Sequence, residues 1–373
     1  MPRTGENIYK RKDGRWEGRY IEERIAGKAR YRAVYARTYR EVKRKLDEAK
    51  REAEKQNQEM KKPGKMADIG NQWLSEEALL LKKSSFIKYE DILRCYILPE
   101  FGENELSEIT NQRLISFTNG LLQNGGAKKQ GLTPATVAEI LSAMNSIRIY
   151  AVKRDYTVTY STECISLKKE PKEIRVFSLE EENILLRYLR ENIDLPALGI
   201  MICLFTGIRL GELCALKWDD INIPERKMSV SKTMQRLRAD TASGNKTEVQ
   251  IFEPKSSCSV RTIPLPDILM ELLEKLYVPE TFLLTGSSRF LEPRTMQNRF
   301  KKIINSCGIP DANFHTTRHT FATRCIELGF DVKSLSEILG HASVAITMNR
   351  YVHPSMALKR ENMNRFSDLF AVR

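Results

Sequence analysis

The chain has 373 residues, 41% hydrophobic and 29% charged, with a formal net charge of +13. This length points to two or three domains, and no apolar run approaches the roughly 20 residues of a membrane-spanning helix, so a soluble chain is expected. The positive excess favours a polyanionic partner, with nucleic acid ahead of an acidic membrane surface or protein.

The opening MPRTGENIYKRKDGRW has basic residues but no apolar stretch or small-residue cleavage site behind them, so it reads as a cytosolic start rather than a secretory leader. The seven cysteines are scattered and never spaced C-x-x-C, the usage of reduced thiols. Residues 1–62 hold twenty Lys and Arg against eleven Asp and Glu, so one sixth of the chain carries nine of the thirteen net charges. That asymmetry marks a dedicated binding module.

Three runs come first, 7–12, 15–22 and 30–36. Asp13-Gly14 and Gly27 separate them, and Asp-Gly between alternating segments predicts a hairpin and hence a three-stranded sheet. Alternation sets Trp16, Gly18 and Tyr20, with Tyr31, Ala33 and Tyr35, on an aromatic face and leaves arginines such as Arg30 and Arg32 to the other. A helix over 38–59 follows, with Thr38 and Glu41 in capping-box spacing, and Lys61-Lys62-Pro63-Gly64-Lys65 makes a linker.

From 66 to 167 the apolar spacing is helical, predicting helices over 67–82, 85–97, 110–124 and 133–153 and a four-helix domain. The charged segment 168–175 sets the next boundary, and Ser178 with Glu181 opens another capping box. Beyond it helices dominate around a β-rich insertion over 227–265. The last helices are expected at 316–328, 332–339 and 343–350, ended by Gly329 and Gly340. The expected class is multidomain and mainly α, with domains at 1–62, 66–167 and 175–373.

Three motifs in the last domain carry chemistry. Arg209 in TGIRLGEL stands in an apolar context and either pairs with Glu212, one helical turn on, or faces an anion. His315 and Arg318 in HTTRH lie one turn apart and can converge on an anion at a helix N-terminus. His315 and His319 lack the HExxH pattern, the cysteine pairs or the acidic ligand that zinc requires. Gly340 in LGH at 339–341 can reverse the chain and let His341 approach Tyr351, which a straight helix would hold about 15 Å away. All four histidines fall between 315 and 353.

In order and spacing these motifs resemble the signature of the tyrosine recombinase, or integrase, family over nearly all of 178–355. The resemblance implies that Tyr351 attacks a DNA phosphate. It further implies that Arg209 and Arg318 neutralise the phosphate oxygens, His315 serves as base, His341 adds a hydrogen bond and Glu212 orients these groups from behind. Lys255 sits where the family keeps a mobile catalytic lysine acting as general acid, with Lys246 and Lys232 as weaker substitutes. Such chemistry conserves bond energy in a 3′-phosphotyrosine and needs no cofactor or metal. Residues 66–167 resemble the family's core-binding domain. The N-terminal sheet resembles the arm-binding domain of conjugative-transposon and temperate-phage integrases, with Arg15, Arg19, Arg30 and Arg32 suited to DNA contacts.

Family likeness also implies double-stranded DNA with core and arm sites as partner, a homotetramer on that DNA, and help from an excisionase and a host DNA-bending protein. The apolar spacing of 354–373 suits a tail helix packing on a neighbouring protomer or on its own domain. Three rivals stay open: a catalytically silent integrase-derived DNA-binding protein, a chromosome-dimer resolvase and, more remotely, a type IB topoisomerase.

Overall fold

The computed structural model describes residues 7–25, 28–59, 62–168, 174–239, 246–253, 260–352, 359–360 and 363–364, with backbone alone at 22–25, 28–29 and 53–59. The chain divides into two units, Met1–Glu170 and Pro171–Arg373.

In the first unit β1 (Ile8–Lys10), β2 (Trp16–Ile25) and β3 (Lys28–Ala36) form an antiparallel sheet in that order. Gly14 (φ +86°) makes the first turn. Helix α1 (Tyr39–Glu59) packs Val42 and Leu46 against Ile8 and Ala36, with Trp16, Tyr20 and Val34 around them. Gly18 permits this approach, since a Cβ there would lie 3.2 Å from Leu46 Cδ2. Thr38 caps α1 by accepting from the Glu41 N–H, while the Glu41 carboxylate pairs with Lys45.

The register corrects the expected faces. Trp16 pairs with Ala36, Gly18 with Val34 and Tyr20 with Arg32, so even-numbered positions share one face and odd-numbered positions the other. The aromatics of β2 therefore pack on α1, whereas Tyr31 and Tyr35 of β3 join Tyr9 and Arg19 on the open face. That face mixes tyrosine with arginine instead of separating them.

The rest of this unit is helical: α2 (Met66–Glu77), α3 (Lys83–Ile92), α4 (Leu98–Phe101), α5 (Asn111–Asn124) and α6 (Pro134–Val152). Its core, separate from that of the sheet, gathers Ile69, Trp73, Leu93, Ile97, Phe101, Leu114, Ile140, Met144 and Ile147. Thr110 and Thr133 cap α5 and α6. Helix α2 stops five residues short of expectation, leaving Leu79 and Leu80 exposed in the turn. Conversely, the helix through α3 runs on to Phe101 past Pro99. A π-helical turn over Leu93–Ile97, with the Leu98 N–H reaching Leu93 O, widens the coil just before the proline, which lacks an N–H of its own.

The second unit is built around α8 (Leu195–Thr206), buried from Pro196 to Cys203 and following α7 (Leu179–Glu191). Ser178 and Glu181 form the expected capping box on α7. After the short α9 (Leu210–Ala215) come β4 (Ile221–Asn222), β5 (Lys227–Val230), β6 (Thr233–Arg238), β7 (Thr247–Phe252) and β8 (Arg261–Pro264). The anticipated β region is two small sheets, β4-β5-β8 and the hairpin β6-β7. Helices α10 (Asp267–Leu276), α11 (Pro293–Ser306), α12 (His315–Glu327), α13 (Val332–Leu339) and α14 (Val344–Tyr351) complete the described structure. No helix among the described residues is long and apolar enough to cross a membrane.

Candidate active site

Two glycine-ended helices build the site. Gly207 ends α8 and Gly340 ends α13, both in the left-handed region at φ +65°. This geometry leaves C-terminal carbonyls free to accept from cations, which the helix dipole also favours. Arg318, 2% exposed on α12, donates from Nη1 to Gly207 O and from Nη2 to Leu339 O, both at 2.7 Å. Arg209, at the start of α9, donates from Nη2 to Gly340 O at 3.2 Å and from Nη1 to Glu212 Oε1 at 2.8 Å. Arg209 makes the Glu212 pair that the sequence offered, and it also lines a pocket.

Sequence reasoning missed Arg261. Its guanidinium, 6% exposed, donates from Nη2 to Glu212 Oε2 at 2.8 Å and from Nε to Ile338 O at 2.6 Å. The signal was an arginine opening a strand of alternating pattern, which has no sequence-local partner to betray it. Burial opposes ionisation of Glu212, yet the Arg261 hydrogen bond and the charges of Arg261 and Arg209 hold its carboxyl below the usual carboxylate range. Three guanidiniums thus share one carboxylate and four carbonyls, leaving a positive excess. Burial and neighbouring Arg209 bring Arg318 down to about 9.

The excess faces a pocket of about 320 Å³ lined by Arg209, His315, Arg318, His341, Ile346 and Arg350, among others. His341 Nδ1 lies 2.7 Å from the buried Thr347 hydroxyl. A hydroxyl donating to Nδ1 fixes the tautomer that carries its proton on Nε2. Burial and the surrounding arginines lower His315, His319 and His341 each to about 4.

Tyr351, the last residue of α14 and 6% exposed, has its ring stacked beside His341 at 6.4 Å between centroids. Its hydroxyl lies 2.9 Å from Nδ1 of His319, not of His315. Burial raises the tyrosine above its usual value, and Arg318 and Arg350 pull it back only in part. Chemically, the arrangement can hold a tetrahedral oxyanion between two guanidiniums with an imidazole on either side and a tyrosine hydroxyl next to them.

Among the predicted residues, Arg209, Glu212, His315, Arg318, His341 and Tyr351 come together. Lys255 lies outside the described residues, as does most of 354–373. Among the described residues no cluster of His, Cys, Asp and Glu could hold a metal.

On the sheet of the first unit, Arg19 lies on the open face beside Tyr9 and Tyr31, whereas Arg32 pairs with Tyr20 on the α1 side of the sheet and still lines part of the same shallow concavity. Glu17, 6% exposed, accepts from Arg11 and Arg19 at 2.9 and 2.6 Å, so the carboxylate fixes both guanidiniums. Arg15 bonds Asp13 in the turn and rests over Tyr35, and Arg30 is exposed opposite Glu23.

A mostly helical fold carrying arginine, histidine and tyrosine in this arrangement defines a DNA strand-transferring enzyme of the tyrosine recombinase class. Residues 176–357 match the Phage integrase family and residues 66–122 the phage integrase N-terminal SAM-like domain. The chain belongs to the phage integrase family of tyrosine recombinases, enzymes that cleave and rejoin DNA. It is 29% identical over 335 residues, 82% of this chain and 83% of the relative, to a XerC-like tyrosine recombinase of Caldanaerobacter subterraneus subsp. tengcongensis. The fold is similar to that of the Tn1549 transposon integrase in complex with a circular intermediate DNA (TM-score 0.65, 18% identity, 80% of this chain and 99% of that one). It is also similar to a lambda integrase dimer bound to a core site (TM-score 0.57, 16% identity, 94% and 96%).

Proposed function

We propose that this recombinase integrates and excises a mobile element by cutting each DNA strand with Tyr351. The observation that carries the reading is the convergence of Arg209, His315, Arg318 and His341 on one pocket with Tyr351 packed alongside it. Arg209 and Arg318 take the non-bridging oxygens of the scissile phosphate and the negative charge that grows on them. Their backbone tethers hold them in place beforehand, so little reorganisation is needed during reaction. His341, oriented by Thr347, donates a further hydrogen bond, and Glu212 and Arg261 hold Arg209 from behind. Attack by the Tyr351 oxygen forms a 3′-phosphotyrosine. The departing 5′ oxygen takes a proton, for which Lys255 is the proposed donor.

The N-terminal sheet is proposed to read arm sites through Arg15, Arg19, Arg30 and Arg32, the helical 66–167 segment to grip the core site, and 175–373 to cut. The basic sheet favours mobile-element integration over chromosome-dimer resolution, because resolvases of this family generally lack it. Tetramer assembly on two DNA partners, an excisionase, a host bending protein and a cytoplasmic location follow from the same reading, which needs no cofactor.

A suicide DNA substrate nicked beside the core site tests it. The wild-type protein is expected to become covalently attached and Tyr351→Phe to bind without attaching. A wild-type protein that binds the element's own junction and forms no adduct would leave the silent DNA-binding reading in its place.

A further inference from the structure

We infer that His319 is a catalytic residue of this chain, the group that receives the hydroxyl proton of Tyr351 as the tyrosine attacks phosphate. The inference rests on Tyr351 being the nucleophile, and it divides the labour of the two neighbouring histidines. His315 lines the phosphate pocket, whereas the Tyr351 hydroxyl sits 2.9 Å from Nδ1 of His319. A proton acceptor must first be within hydrogen-bond reach of the proton it takes, and His319 meets that condition in the DNA-free protein.

Local structure explains the placement. Successive turns of α12 carry His315 and His319, whose rings meet edge to face at 4.5 Å between centroids. The first ring stands at the pocket mouth and the second is 9% exposed, one turn deeper, where α14 ends in Tyr351. The groups facing His319 are His315 and Arg318 from its own helix and Arg350 and Tyr351 from α14. Burial first, and then the charges of His315, Arg350 and Arg318, keep the ring neutral at rest, and a neutral ring with its proton on Nε2 offers Nδ1 as acceptor.

The step balances. The Oη–H proton passes to Nδ1 of His319, and an oxygen electron pair forms the bond to phosphorus. The bond from phosphorus to the 5′ oxygen breaks, and that oxygen takes a proton from the general acid. The imidazolium left on His319 lies close to the negative phosphodiester, which offsets Arg318 and Arg350. In rejoining, His319 returns the proton to the tyrosine oxygen.

The test measures the single-turnover rate constant for covalent attachment by the full chain, on an ordinary suicide substrate and on one with a 5′-bridging sulfur. A thiolate leaves without an acid, so the sulfur substrate reports on nucleophile activation alone. His319→Asn retains a hydrogen-bonding group but no basic nitrogen. Its rate constant is expected to fall about 100-fold or more on both substrates and to climb with pH as hydroxide replaces the lost base. Imidazole in the buffer should restore much of the rate to His319→Ala. Loss of folded protein lowers the amplitude and leaves the rate constant readable. A rate constant and pH profile like the wild type in His319→Asn, or no imidazole rescue of an impaired His319→Ala, would overturn the role of His319. A wild-type protein that forms no adduct would overturn the recombinase reading itself.

Discussion

Single residues with no chemistry of their own hold the reactive ones in place. A Cβ on Gly207 would lie 2.5 Å from Phe321 Cδ1 and 2.8 Å from Leu339 Cδ2, on a backbone already at φ +65°. Gly207→Ala should therefore combine left-handed strain of about 1–2 kcal/mol with overpacking of about 1–3 kcal/mol. Urea denaturation should show a loss of about 2–5 kcal/mol, and cleavage should fall because the carbonyl that seats Arg318 moves. An unchanged midpoint would mean the α8 end relaxes freely. Arg261 acts through Glu212 and the Ile338 carbonyl. Arg261→Met leaves Glu212 with Arg209 alone and should cost about 3 kcal/mol. Arg261→Lys should recover little of it, since an ammonium cannot reach both carboxylate oxygens and the carbonyl at once. If the lysine variant matched the wild type in stability and cleavage, charge alone would be the requirement.

At the scale of elements, strand parity separates the side of the N-terminal sheet that packs on α1 from the open side proposed to meet DNA. Trp16 and Tyr20 pack on α1, and Tyr31 and Arg19 lie on the open face. Val42→Ala, in the core of this sheet, should destabilise by about 1–3 kcal/mol. Tyr31→Ala should leave stability within about 0.5 kcal/mol, and both Tyr31→Ala and Arg19→Ala should weaken DNA binding. Arg19→Ala should also lower the slope of log affinity against log salt by about 0.9 if the guanidinium meets one phosphate. An unaltered slope and affinity would remove Arg19 from the interface.

The existence of this sheet was legible in Asp13-Gly14 and in the alternation around it, because turn chemistry and period act locally. Which faces matched was not, because register depends on where two strands meet. Helix caps at Thr38 and Ser178 were likewise legible, while the π-helical turn at Leu93–Ile97 answers to Pro99 and to packing that no local rule contains. The convergence of Arg209, His315, Arg318 and His341 beside Tyr351 was readable from motif spacing. Its support was not: Arg261 reaches Glu212 across 49 positions and Arg318 reaches Gly207 across 111.

The molecule as a whole carries +13, and the site concentrates part of that excess where Arg209 and Arg261 share Glu212 and Arg318 donates to backbone carbonyls. Anything anionic that binds the folded form alone must raise its stability, by about 2.7 kcal/mol at a hundredfold excess over the dissociation constant. Sulfate or phosphate, compared with chloride at equal ionic strength, should raise the melting temperature of the wild type more than that of Arg209→Gln.

Acid acts in the opposite direction on the same site. His319 sits near 4 when folded and near 6.5 when unfolded, so between these values the unfolded chain binds the extra proton. Its contribution to stability is complete above pH 6.5, is lost as pH falls toward 4, and changes no further below that. Because carboxylates also titrate in this window, the informative quantity is the difference between wild type and His319→Asn, which removes the ring and its titration. That difference should shrink steadily from pH 6.5 to 4 in chloride. It should shrink less in phosphate, where a bound anion stabilises the protonated ring. A difference that stays flat with pH would show that His319 is protonated in the folded protein as readily as in water, and would leave the neutral acceptor beside Tyr351 without support.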